Sequence, residues 1–157
     1  MATRGRYRSV VNECEFCQIA RGERPALVVH ETDTTITFLD HRPLFPGHAL
    51  VAPRDHYETI EDLPDALLGP LFEVVKRTSV AVRTAMDSPG SFVAANNTIS
   101  QSVPHIHVHV VPRRQRDGLS GFFWPRHPYD DAAHAEAVRS RIAAALGRRE
   151  HAPPTLG

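Results

Sequence analysis

His105, His107 and His109 alternate with Ile106, Val108 and Val110 between Pro104 and Pro112. The β-branched residues predict a strand over Ser102–Pro112, punctuated by the prolines. Side chains alternate across a strand, so the imidazoles fall on one face, at Cα spacings of about 6.5–7 Å. Val and Ile fill the other face and anchor the strand in a core. Three imidazoles pack poorly. Each ring has two nitrogens to satisfy, and charging all of them together is costly. The bland alternative is a solvated, histidine-rich edge strand. The chemical reading is that a neutral imidazole, held at one nitrogen by a hydrogen bond, offers a lone pair on the other at neutral pH. Attack on phosphorus would form a phosphohistidine, which water or another acceptor would resolve. Donors must surround the phosphoryl oxygens in such a transition state. His109, Gln101, Ser102 and an Asn of the Asn96-Asn97 pair are available. Alternatively, histidines spaced in this way can share a metal.

The two cysteines of the chain, Cys14 and Cys17, form Cys-Glu-Phe-Cys. A redox pair, half of a metal site, and small buried hydrophobes all fit this spacing. A redox pair usually follows a strand, and none is predicted here. Cys₂His₂ is a closed tetrahedral zinc set, and Cys-x-x-Cys is its usual first half. His56, after the third predicted strand, and His105, at the head of the fifth, are suitable partners if those strands lie near the N-terminal turn.

The elements that must position these groups are legible in order. Phe16–Arg21 predicts one helical turn, ended by Gly22 and Pro25. Leu27–Glu31 and Thr34–Leu39 read as a hairpin with Asp33 in its turn. Asp40–His48 is a Pro- and Gly-rich loop at a strand end, a common place for functional polar groups. His48–Pro53 reads as a third strand. Asp62–Met86 is helical, with Leu67, Leu68, Leu71, Phe72, Val75, Val82 and Met86 on an apolar face. Gly69-Pro70 predicts a short turn first and the main helix from Pro70. Ser91–Ala95 is a fourth strand, and a last helix capped by Asp130 and Asp131 runs through Leu146 to Gly147. Phe122, Phe123 and Trp124 form an aromatic cluster that needs something to pack on, either this domain or a partner.

The 157 residues suit one domain, expected over 12–147, with a flexible arm over 1–11 and a tail over 148–157. Strands and helices in this order predict an α+β fold on an antiparallel sheet. Lys+Arg and Asp+Glu balance at 18 each, so no bulk attraction to nucleic acid is implied. No apolar run spans a bilayer and the N-terminus lacks a signal-like core, which predicts a cytoplasmic protein without a membrane partner.

His105-Ile106-His107-Val108-His109-Val110-Val111 resembles the signature of the histidine triad (HIT) nucleotide hydrolases and transferases. Phe38-Leu39-Asp40, the run Pro46–His56, Asn96-Asn97 and Gln101-Ser102-Val103 are similar to the other landmarks of that family, in the same order. The resemblance covers roughly 14–113. It implies an α+β sheet that dimerises, and a purine ribonucleotide substrate, adenylyl in particular. Such substrates are dinucleoside polyphosphates and nucleoside phosphoramidates. His107 would be the nucleophile. His109 would hold phosphate or a bridging oxygen. Asp40 would accept the ribose hydroxyls, with His41 beside it at the base. Asn96, Asn97, Gln101 and Ser102 would line the phosphate and leaving group, and His48 would support the triad. Members with an N-terminal Cys-x-x-Cys often hold structural zinc, which here implies Cys14, Cys17, His56 and His105. His41 stands where a branched apolar residue usually packs on the base, and Thr98 replaces the usual glycine of the loop beside the leaving group. A binding module with little turnover and a metal-dependent hydrolase with the triad as ligands are the competing readings.

Overall fold

Five consecutive buried residues, Ala49-Leu50-Val51-Ala52-Pro53, form the middle strand of the molecule. A strand buried along its whole length needs cover on both faces, and alternate residues serve different sides. Ala49 and Val51 join one apolar cluster with Leu71, Val74 and Val75. Leu50 and Ala52 join another, with Phe16, Ile19, Ile36 and Phe38. The structure is a computed structural model that describes residues 13–119 and 127–147. Strands β1 (Val28–Glu31), β2 (Thr35–Leu39), β3 (Ala49–Pro53), β4 (Gly90–Ala94) and β5 (Val108–Arg113) form one antiparallel sheet in the order β1-β2-β3-β5-β4. Helix α1 (Glu15–Ala20) packs on one face and α2 (Asp65–Ala85) on the other, while α3 (Ala132–Gly147) follows late in the chain. The chain thus has the expected α+β fold, with a five-stranded antiparallel sheet, a long helix and a C-terminal helix.

Local chemistry explains two of the element ends. The β1–β2 turn closes on Thr32, whose Oγ1 accepts from the amides of Thr34 and Thr35. In α3, Asp131 Oδ1 accepts from the His134 amide at 2.7 Å, an N-cap bond three residues into the helix. The buried face of α2 is Leu71, Val74, Val75, Thr78 and Val82, spaced at helical intervals. Phe72, expected on that face, is 42% exposed.

Two expectations about elements are corrected. First, no break precedes Pro70; α2 runs continuously from Asp65 and holds Pro70 within it. Pro70 and Ala66 are both exposed residues, and the missing amide removes only the bond to the Ala66 carbonyl. Second, the histidine strand is shorter than predicted, because β5 begins only at Val108. Pro104 has no N–H, the His105 amide turns back to the Val103 carbonyl, and the Ile106 amide bonds Tyr57 outside the sheet. His105 and His107 therefore stand on an irregular approach to β5, and only His109 lies on the strand itself.

Chain packing divides into two compact units, Met1–Asp117 and Gly118–Gly157. All candidate site residues belong to the first. The expected arm over 1–11, the Phe122–Trp124 cluster and the tail over 148–157 lie outside the described residues. Among the described residues no helix is long and apolar enough to cross a membrane.

Candidate functional site

The irregular approach to β5 sets the proton on His107, and His48 sets the one on His109. His107 Nδ1 lies 2.7 Å from the His105 carbonyl oxygen. A carbonyl only accepts, so Nδ1 carries the hydrogen and Nε2 is left with a lone pair. His48 Nδ1 accepts from the Leu44 amide at 3.2 Å, which puts the hydrogen of His48 on Nε2. That Nε2–H points at His109 Nδ1, 2.9 Å away. His109 then carries its hydrogen on Nε2. One ring offers a lone pair and its neighbour, with ring centroids 4.9 Å apart, offers a donor.

Burial keeps these rings neutral. His107, only 3% exposed, is held below the ordinary imidazole range chiefly by desolvation. His109 is pushed down to about 4, first by desolvation and then by any charge on His107 and His48. His48 is lowered for the same leading reason, opposed by the Asp40 carboxylate. The Phe16 ring, carried by α1, meets His107 edge-on at 5.0 Å and Phe38 at 5.1 Å, closing one side of the triad against water.

Asp40 directly follows β2 and its side chain is 17% exposed. Its Oδ1 accepts from the Arg42 amide at 2.8 Å, and its Oδ2 lies 3.6 Å from His48 Nδ1. Asp40, His48 and His109 bring ligand atoms within 4.8 Å of one another. Asp40 faces Nδ1 of His48 whereas His109 faces Nε2, so a single ion between them would have to displace the His48–His109 bond. The chain that orients His109 runs from the Leu44 amide through His48, and the Asp40 carboxylate stands beside it without a hydrogen bond to His48.

The second cluster is fully buried. Cys14 Sγ lies 3.4 Å and Cys17 Sγ 3.5 Å from His105 Nδ1, and Cys17 Sγ lies 3.4 Å from His56 Nδ1. His105 Nε2 donates to the Pro53 carbonyl at 2.9 Å, so its Nδ1 presents a lone pair to the sulfurs. Tetrahedral zinc, at about 2.3 Å from sulfur and about 2.0–2.1 Å from nitrogen, separates such ligands by about 3.6 Å. The four residues therefore fit a metal ion. Without a cation, burial and the neighbouring Cys14 push the Cys17 thiol up to about 12, so the free thiol is not poised for thiolate redox chemistry.

The loop before the triad uses two expected ligands for its own support. Gln101 Oε1 accepts from the Thr98 amide, and its Nε2 donates to the Glu58 carbonyl at 2.6 Å. Asn97 Oδ1 accepts from the Ile60 amide at 2.8 Å. These bonds strap 97–101 to 58–60 and hold Thr98 and Ser100 at positive φ, 67° and 59°. Asn96 is half-buried just past the end of β4. Ser102 and His41 line a cleft of about 700 Å³ together with Asp40, His107 and His109. His41 is 81% exposed, 3.9 Å from the Asp40 carboxylate. The same cleft is lined by Glu15, Phe16, Ile19, Arg24 and Leu27, none of which the motifs single out. Leu27, 72% exposed, is an apolar side chain left facing open space; no local pattern marks it.

An antiparallel sheet that carries a neutral histidine donor–acceptor pair at a cleft, beside a buried Cys₂His₂ cluster, defines a hydrolase of the histidine triad class. The chain belongs to the HIT family: the HIT domain matches residues 21–116. It is 37% identical over 110 residues to an adenylylsulfatase of Arabidopsis thaliana, covering 69% of this chain and 56% of the plant protein. It is 30% identical over 135 residues to an adenosine 5'-monophosphoramidase of Schizosaccharomyces pombe, covering 82% of this chain and 98% of that one. Among solved structures, a zinc-bound histidine triad family protein from Mycobacterium smegmatis superposes with a TM-score of 0.66 at 32% identity, covering 87% of this chain and 98% of that one. A HIT family member from Bacillus subtilis superposes with a TM-score of 0.76 at 32% identity, covering 84% and 96%.

Proposed function

We propose that this chain hydrolyses purine ribonucleotide conjugates at the α-phosphorus through a phosphohistidine on His107. The observation that carries this reading is the tautomer pair: a lone pair on His107 Nε2 beside a donor on His109 Nε2, both at the cleft. His107 Nε2 attacks phosphorus and the bond to the leaving group breaks. His109 Nε2–H holds a phosphoryl or bridging oxygen as charge moves onto it, with Ser102 beside it. Water then attacks the same phosphorus, frees His107 and releases the nucleotide. Asp40 sits at the sugar end, because a carboxylate would repel phosphate. His48 keeps His109 in the donating tautomer. Gln101 and Asn97 act by holding the loop, and Asn96 by closing it against the phosphate. Relatives named adenylylsulfatase and adenosine 5'-monophosphoramidase support a nucleotidyl sulfate or phosphoramidate as the substrate class. Zinc on Cys14, Cys17, His56 and His105 is structural and supplies no step of the reaction. The opposed nitrogens of His48 argue against catalysis by a metal held on the triad.

The protein works as a cytoplasmic homodimer on a small molecule, without a nucleic-acid or membrane partner. Support comes from two buried cysteines without a disulfide, which suit a reducing compartment, from balanced charge, and from the place of β4 as an edge strand of the sheet. The central test is His107→Ala. Turnover of an adenosine phosphoramidate should vanish while AMP still binds, and rapid quenching of wild type should trap one nucleotidyl group per active site. Substantial kcat in the variant, with no adduct on wild type, rejects the mechanism; binding without turnover in wild type favours a binding module.

A further inference from the structure

The cleft is lined by a charged pair that the proposed chemistry leaves unused. Glu15 comes from the first turn of α1 and Arg24 from the connection before β1, with Arg24 Nη2 2.9 Å from Glu15 Oε1. Both are about half exposed, at 43% and 47%, so a ligand in the cleft can reach them. The lining around them is apolar: Phe16, Ile19 and Leu27, with Phe16 edge-on to His107 at the reacting end. Apolar lining suits the faces of a planar base, and the base then has only its edge to present to charge. The ion pair occupies one oxygen contact and one guanidinium N–H. The second lone pair of Oε1, the whole of Oε2 and further N–H groups are left to bond a ligand.

We infer that Glu15 and Arg24 read the edge of the nucleobase and make the site prefer guanine over adenine. The inference rests on the nucleotide reading above and specifies its base. Guanine presents a ring N–H and an exocyclic amine side by side, two donors that one carboxylate accepts together, with acceptors at O6 and N7 for the guanidinium. Adenine presents one amine beside an unprotonated ring nitrogen, whose lone pair faces the carboxylate unfavourably. His41, in the position next to Asp40, leaves the mouth of the cleft polar and consistent with an edge read by hydrogen bonds.

The test is titration calorimetry with GMP, IMP and AMP on zinc-loaded wild type, Glu15→Ala, Glu15→Gln and Arg24→Ala. Wild type should bind GMP about tenfold tighter than AMP, with IMP between them because it keeps the ring N–H and lacks the amine. Both Glu15 variants should bring GMP to within about twofold of AMP, leaving AMP almost unchanged. Arg24→Ala should weaken GMP more than AMP. The wild-type ranking needs no variant, and thermal melts separate the alternative in which the pair only staples α1 to the connection. Earlier melting with the GMP/AMP ratio intact overturns the inference. So does AMP binding as tightly as GMP in wild type, and if that binding still depends on Asp40 the nucleotide reading survives. Binding of none of the three nucleotides overturns both.

Discussion

A histidine serves as a nucleophile only if the attacking nitrogen is bare, and in this protein a backbone carbonyl settles that for His107. Desolvation reinforces it by holding the ring below its ordinary value of 6.5. Deprotonation is what activity needs, so a depressed value moves the acid limb of kcat/KM below the usual imidazole range rather than above it. Asp40 carries the prediction at this scale. Its Oδ1 already accepts the Arg42 amide, which is the turn-capping role in part, yet an ionised carboxylate has roughly four lone-pair sites. The remaining ones suit vicinal hydroxyls, worth about 1.5–3 kcal/mol, or roughly ten- to a hundredfold in affinity. Wild type should prefer a ribonucleotide over its 2′-deoxy analogue by such a factor, and Asp40→Asn should lose most of it. Equal discrimination by the variant, measured as the kcat/KM ratio, removes Asp40 from the sugar.

Helix α1 is only six residues long, too short to persist alone, and its packing rather than its propensity holds it. It is tied to the sheet through Phe16 on Phe38 and through Cys14 and Cys17 on His56 and His105. The zinc proposed there would join α1, the end of β3 and the approach to β5 into one unit. Protein purified without added metal should contain about one zinc per chain. Cys14→Ala should lose that zinc and lower the unfolding midpoint, because binding free energy at such a site is folding free energy. Metal analysis and a melt on the same sample decide it; zinc retained at full stoichiometry in the variant rejects the ligand set. His105 also supplies the carbonyl that orients His107, so disorder at the cluster should reach the nucleophile.

At the scale of the molecule, several imidazoles are buried neutral around one site. The unfolded chain takes up protons on His48, His107 and His109 near the ordinary value of 6.5, whereas in the folded chain all three are lowered, His109 to about 4. Below 6.5 the unfolded state therefore binds more protons, and stability falls as pH drops. The urea midpoint should be flat above the imidazole range and decline between roughly pH 6.5 and 4. A midpoint that rises over that range contradicts the buried neutral rings. Assembly is the other whole-molecule prediction. Strand β4 ends the sheet with Val93 42% exposed, and a second copy would cover that edge. Sedimentation at micromolar concentration should give twice the 17.4 kDa chain mass; a monomer rejects the proposed dimer.

The residue types and their spacing are enough to single out the triad, the Cys-x-x-Cys pair, Asp40 and the loop Asp40–His48, because short motifs and alternating or helical periodicity are local properties. The same locality explains the two elements that depart from their local pattern. Pro70 reads as a breaker in any window, but an exposed second turn tolerates the lost bond. The strand pattern of 102–112 is genuine, but the amides of His105 and Ile106 bond outside the sheet. What only the tertiary structure decided is where each hydrogen sits and which side chains are already engaged. The proton on His109 depends on His48, 61 positions away, and the lone pair of His105 meets Cys14, 91 positions away. Gln101 looks like a phosphate ligand in the sequence and is spent on the loop; Glu15 and Arg24 look like surface charges and line the cleft. An imidazole, an amide or an ion pair takes its role from the partner across the fold, and no spacing along the chain encodes that partner.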